Sequence, residues 1–246
     1  MFLRQSKVGI VGGLGPYAGV DILNKVIKYS EVFKDQDHID VALLSYPSIV
    51  SDRTEYIKYG RGENPSIGII KVISDLKKLG VSHFGIACNT AHSRVILEPV
   101  LYRLKYMENP PLFINMIEET FIGIRNDFPN IRNIGVMASE GTVIADTFGE
   151  YGRLHGFNII YPSQDSINLI HEVIYNKKEG LKNDPHNIKA SKKIDSVINE
   201  FSSMKVEGII LGCTELPLVI EFLKKDLPLI DPGDYLARAL IKKTRY

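Results

Sequence analysis

The chain has 246 residues, 44% of them in the hydrophobic set and 24% charged, with a net charge of +1. That balance gives no electrostatic ground for nucleic acid or an acidic membrane as partner and leaves a small molecule as the expected ligand. No apolar stretch approaches the ~20 residues of a membrane helix, and Met1 to Lys7 lacks a signal peptide's apolar core, so a cytoplasmic location is expected.

In chain order, short apolar runs alternate with helical periodicity, the pattern of βα units feeding a mainly parallel sheet. Lys7 to Val11 reads as a strand, followed by Gly12-Gly13-Leu14-Gly15-Pro16 and a helix from about Tyr17. Val41 to Ser45 is a second strand. Ile67, Ile70, Ile73, Leu76 and Leu79 then line a helix that Gly80 stops. His83 to Ala87 and Leu112 to Asn115 are further strands, as are Ile134 to Met137, Asn158 to Tyr161 and Gly208 to Leu211. Helices are expected over 142–154, 165–178 and 188–204, the last with Ile194, Val197, Ile198 and Phe201 on one stripe. A strand over Leu227 to Ile230 and a helix over Asp234 to Lys242 close the chain.

The sequence also contains a faint internal repeat. Gly9 in Lys7-Val8-Gly9-Ile10-Val11 aligns with Gly135 in Asn133-Ile134-Gly135-Val136-Met137 at an offset of 126 residues. Cys88 in Gly85-Ile86-Ala87-Cys88-Asn89-Thr90 aligns with Cys213 in Ile210-Leu211-Gly212-Cys213-Thr214-Glu215 at an offset of 125. The spacing predicts an α/β fold of two pseudo-symmetric lobes, each a mainly parallel sheet flanked by helices. Residues 1–117 plus 226–246 would form the N-terminal lobe and 118–225 the C-terminal lobe. Ligands of open parallel sheets sit beyond the carboxyl ends of the strands. Both cysteines would therefore face one cleft at the lobe interface.

Two cysteines in 246 residues make no disulfide framework; such a pair is reactive, metal-bound or core filling. Each of these two closes a strand and precedes a capping residue type, Asn89 or Thr90 in the first case and Thr214 in the second. A helix starting there would draw the thiol pKa down toward neutrality. Matched thiols on opposite sides of a ligand suit inversion of a carbon centre, with one removing a proton and the other delivering one. Glu215 falls within reach of Cys213 as a proton partner. His92 either tunes Cys88 or serves structure, and His171 reads as partly buried. Arg53, after the second strand, is placed to grip a carboxylate, or else pairs on the surface with Asp52 or Glu55. Lys177 and Lys178, read alone, are solvated charges at a helix end. The histidines offer no second pair to complete a metal site with Cys88 and His92, so no metal is expected. Gly13-Leu14-Gly15-Pro16-Tyr17-Ala18 fits a dinucleotide fingerprint, but the second strand ends without the acidic residue that would hold a ribose.

Together, Gly12-Gly13-Leu14-Gly15-Pro16, Ser51-Asp52-Arg53-Thr54, Ala87-Cys88-Asn89-Thr90-Ala91-His92 and Gly212-Cys213-Thr214-Glu215-Leu216-Pro217-Leu218 resemble the aspartate/glutamate racemase family over essentially the whole chain. The resemblance implies racemisation of an acidic amino acid, no pyridoxal phosphate or other cofactor, no metal, and a homodimer. It implies Cys88 and Cys213 as catalytic residues and Arg53, Asn89, Thr90 and Thr214 as substrate contacts. Ser139 falls where the family often has a substrate threonine, and Lys178, in preference to Lys177, where it has a substrate lysine. Glutamate at position 215 places the chain nearer the aspartate branch. Maleate isomerase or hydantoin racemase chemistry and a catalytically idle amino-acid-binding protein are the alternatives, with a nicotinamide-dependent dehydrogenase more distant.

Overall fold

The computed structural model describes residues 7–223 and 226–244. Its first half runs β1 (Lys7–Gly12), α1 (Pro16–Tyr29), β2 (Val41–Ser45), α2 (Arg53–Tyr59), α3 (Pro65–Lys78), β3 (Val81–Ile86), α4 (Arg94–Lys105), β4 (Leu112–Ile114) and α5 (Met116–Asp127). The second half continues with β5 (Asn133–Met137), α6 (Glu140–Ile144), α7 (Thr147–Leu154), β6 (Asn158–Ile160), α8 (Gln164–Tyr175), α9 (Ile188–Ser203), β7 (Gly208–Leu211), β8 (Leu229–Ile230) and α10 (Pro232–Thr244).

The strands form two four-stranded parallel sheets ordered β2-β1-β3-β4 and β6-β5-β7-β8. These orders superpose under the sequence repeat, with β1 matching β5 and β3 matching β7. Strand ends match too: the Ala87 N–H donates to the Val11 carbonyl, and the Gly212 N–H to the Met137 carbonyl. In each sheet the order reverses between the two central strands, which opens a crevice at their carboxyl ends. The glycine-rich turns and the cysteines both lie there.

Both faces of each sheet are covered, which explains why the central strands read as unbroken apolar runs. On the first sheet, α3 and α4 bury Ile69, Val72, Leu97 and Val100 on one face, and α1 and α10 bury Ile22, Leu236 and Leu240 on the other. On the second, α8 and α9 bury Ile170, Ile194 and Phe201, while α5 and α7 bury Phe121 and Phe148. Each such side chain removed from water contributes roughly 1.5–3 kcal/mol before chain entropy is counted. Among the described residues, no helix is long and apolar enough to cross a membrane.

Several boundaries differ from expectation. The helix expected over 142–154 is two, because Asp146 adopts a left-handed conformation (φ 47°) and its carboxylate accepts from Arg153 and Tyr161. β8 pairs with β7 in the second sheet, so that sheet extends to Ile230, beyond the lobe boundary expected at 225. α10 then packs on α1 of the first lobe and on α5. The boundary expected between 117 and 118 falls inside α5.

Candidate active site

The turn after β1 requires glycine at two places. Gly13 has φ +86°, and a Cβ there would meet the Tyr46 backbone nitrogen at 2.7 Å. Gly15 stands at the start of α1, where a Cβ would lie 2.8 Å from the Glu215 carboxylate of the opposite lobe. The bare turn thus lets the second lobe close against the first.

A narrow pocket lies at that contact, and both Cys88 and Cys213 line it. Asn89, Thr90 and Thr214 line it from the same two strand ends, and Arg53 from the first turn of α2. A larger groove between α4 and α7 contains no cysteine, and its Arg94 and Arg153 are already paired with Glu98 and Asp146. The chemistry-bearing groups are in the smaller pocket.

Arg53 is held by its own loop and by the turn after β1, donating from Nη1 to the Ser51 carbonyl at 3.3 Å and from Nη2 to the Leu14 carbonyl. Its guanidinium interacts with Cys88 and Tyr175, and its Nε is buried without a hydrogen-bond partner. A surface pair with Asp52 or Glu55 does not form. Asp52 instead caps α2, accepting from the Glu55 N–H at 2.9 Å, and Glu55 pairs with Arg61. Asn89 is 2% exposed, yet neither atom of its side-chain amide has a partner among the described residues. A buried amide left so costs free energy unless something fills its valences.

Glu215 is the hinge of the second half-site. Its Oε2 accepts the Cys213 S–H at 3.0 Å, and its Oε1 accepts from Lys182 Nζ at 2.5 Å. Burial and then the Glu215 charge push the Cys213 thiol well above its ordinary value, against the opposing pull of Lys182. Burial alone would raise the Glu215 carboxyl as well, but Lys182 and the Cys213 S–H outweigh it and hold it down. No α-helix starts directly after either cysteine: Cys88 is followed by a 3-10 turn over Thr90–His92 and Cys213 by a 3-10 segment over Leu216–Phe222.

Two residues after the cysteine, the first half-site carries a neutral side chain where the second carries a charge. Thr90, which matches Glu215 in the repeat, crosses to the other lobe and shares a hydrogen bond with Thr142 at 2.7 Å and one with Ser139 at 3.4 Å. Ser139 is 1% exposed and lies behind Thr90, outside the pocket lining. His92 is fully buried. Its Nε2 accepts from the Met116 N–H, which leaves Nδ1–H to donate to the Cys88 carbonyl at 2.8 Å. Burial pulls its pKa down to about 4, so the ring is neutral and holds the backbone of Cys88.

Lys178 is not brought to the pocket, and neither is Lys177; both are exposed. Asn176 caps the end of α8 and accepts the Lys178 and Glu179 N–H groups, which turns that segment outward. The chain then doubles back, with Leu181 and Lys182 N–H groups donating to the Val173 and Ile174 carbonyls. The lysine delivered to the pocket is therefore Lys182, beside Tyr175. Sequence reasoning missed both roles. The usable signal was Gly180, since only after that residue can the chain fold back over the helix end; a Cβ there would meet the Asn176 carbonyl at 2.5 Å.

The family model for Asp/Glu/hydantoin racemases matches residues 11–240. The chain belongs to that family and is an enzyme of the amino-acid racemase class that does without pyridoxal phosphate. It is 24% identical to the broad-specificity amino-acid racemase RacX of Bacillus subtilis, over 95% of this chain and 96% of that one. The aspartate racemase of Picrophilus torridus has a similar structure, with TM-score 0.80 and 29% identity over 98% of this chain and 94% of that one. A glutamate racemase from Francisella tularensis, solved with D-glutamate, shares the fold at TM-score 0.63 and 17% identity, over 98% and 81%.

Proposed function

We propose that the chain interconverts the enantiomers of an acidic amino acid, aspartate or glutamate, with Cys88 and Cys213 as opposed acid and base. The observation that carries this reading is the presence of both thiols in one pocket that also holds Arg53, the Lys182–Glu215 pair and the unpartnered Asn89 amide. Arg53 suits one carboxylate, Lys182, shared with Glu215, suits a second, and the Asn89 oxygen and nitrogen suit an ammonium and a carboxylate respectively.

In this mechanism one cysteine, as thiolate, takes the α-proton while the other, as thiol, donates a proton to the opposite face. The electron pair left on the α-carbon delocalises into the carboxylate, which donors from Asn89, Thr90 and Thr214 stabilise as its charge grows. Ser139 acts through Thr90. Glu215 takes the Cys213 proton when that residue must serve as base. The roles of the two thiols swap in the reverse direction. Exposed Val95, Leu101, Tyr102 and Tyr106 along α4 support the homodimer that the resemblance implies, and a single-chain mass by light scattering would contradict it.

The test is incubation of each aspartate and glutamate enantiomer in D₂O, followed by proton NMR and chiral chromatography. Racemisation replaces the α-hydrogen by deuterium and converts either enantiomer into the mixture. Absence of exchange with both amino acids would reject the reading. Conversion of maleate to fumarate without α-exchange would favour the isomerase alternative.

A further inference from the structure

We propose that Tyr175 is a positioning residue: its ring is the platform that fixes how far the Lys182 ammonium reaches into the pocket. The inference rests on the acidic-substrate reading above, and concerns what orients a cation that the regular elements do not carry. Lys182 follows α8 in the irregular stretch that connects α8 to α9. Its backbone is anchored by the bond to the Ile174 carbonyl, and its ammonium ends on Glu215. A lysine side chain on such a stem has many rotamers, and its ammonium is a compact charge without the preorganised fork of arginine.

The Tyr175 ring narrows that choice. Lys182 Nζ lies 5.0 Å from the ring centroid, over its face, where the ring quadrupole attracts a cation. The ring is itself fixed from behind by His171, one helical turn earlier, stacked at 4.5 Å with planes 19° apart. From that platform the ammonium meets Glu215 at 2.5 Å, close to the bare Gly15 at the start of α1. Tyr175 also lines the pocket, and its phenol lies in the fields of Arg53, Cys213 and Asp52. Burial pushes the phenol pKa up, so the hydroxyl stays protonated and the ring stays neutral beneath the cation. The ring contact requires the aromatic face and not the hydroxyl. Tyrosine and phenylalanine should therefore serve alike as the platform, and an aliphatic residue should not.

The experiment is a comparison of Tyr175→Phe, Tyr175→Leu, Lys182→Met and the Tyr175→Leu/Lys182→Met double variant. Folding of each is checked by circular dichroism and melting temperature. KM and kcat for aspartate, or for glutamate if that is the substrate turned over, are read by α-deuteration. Tyr175→Leu is expected to raise KM at least tenfold with kcat changed less than threefold, and Tyr175→Phe to hold KM within threefold of the parent. In the Lys182→Met background, Tyr175→Leu is expected to change KM less than twofold, because the group it positions is gone. A folded Tyr175→Leu variant with the parent's KM would overturn the proposal. So would a Tyr175→Phe variant as impaired as Tyr175→Leu, or independent effects in the double variant. Failure of the parent protein to exchange the α-hydrogen is a separate result and rejects the racemase reading itself.

Discussion

The two thiols sit in unlike surroundings, and the difference predicts unlike behaviour. Cys213 is held protonated by burial and by the Glu215 carboxylate that accepts its S–H. Glu215→Gln removes that charge and should move the Cys213 titration to lower pH, read by thiolate absorbance near 240 nm in a Cys88→Ala background. A titration moved upward would contradict the assignment of Glu215 as the group that holds the thiol. The lysines separate in the same way. Lys182→Met leaves Glu215 buried without its cation and should raise KM for an acidic amino acid at least tenfold, whereas Lys178→Met, on exposed surface, should stay within twofold. The cysteines, Arg53, Asn89, Thr90 and Thr214 could be found in the sequence because each follows directly on the end of a strand or its turn. Lys182 could not, because its position depends on a helix-end reversal set by Asn176 and Gly180 rather than on periodicity.

At the scale of elements, the turn from β1 to α1 carries two glycines with different tasks. Gly13→Ala forces a Cβ onto a positive-φ backbone and against the Tyr46 and Pro47 nitrogens, so it should destabilise by more than ~1 kcal/mol in denaturant unfolding. Gly15→Ala meets only the movable end of Glu215 and should spare stability while lowering kcat at least tenfold. Equal effects of the two on stability would show that Gly15 serves the turn and not the site. The 3-10 turn after β3 buries His92 as a neutral ring with a pKa of about 4, below the ordinary 6.5. The unfolded chain therefore takes up this proton first as pH falls. The His92 contribution is fully present above pH 6.5 and is lost as pH drops toward 4, a span of ~3 kcal/mol. Asp231 works in the opposite direction, since burial raises it to about 6 despite Lys25. It stabilises below its unfolded value of 3.8, and that contribution fades as pH rises through 6. His92→Leu should then be less stable overall but show a flatter loss of stability between pH 6.5 and 4. An unchanged slope would mean that His92 is protonated in the native protein.

Over the whole molecule, the repeat gives two sheets of identical order whose equivalent strand ends meet across one seam. The repeat and the alternation of apolar runs with helical periodicity were legible from spacing alone, because parallel strands buried on both faces leave unbroken apolar runs. The break at Asp146 and the placement of β8 were not. A left-handed residue that is not glycine has no periodic signature, and the run Leu227 to Ile230, though it reads as a strand, does not show which sheet it joins. The symmetry is broken chemically. The residue two positions after each cysteine crosses the seam, as neutral Thr90 onto Thr142 in one case and as charged Glu215 toward Gly15 in the other. Both thiols nevertheless share one pocket, and a single catalytic event that needs both is the consequence to test. The decisive measurement is α-deuteration and chiral analysis of L- and D-aspartate, and of both glutamate enantiomers, with the parent protein, Cys88→Ala and Cys213→Ala. The parent should interconvert the enantiomers of at least one pair, and each single variant should lose interconversion by at least a thousandfold. Full two-way racemisation by either variant would contradict the account.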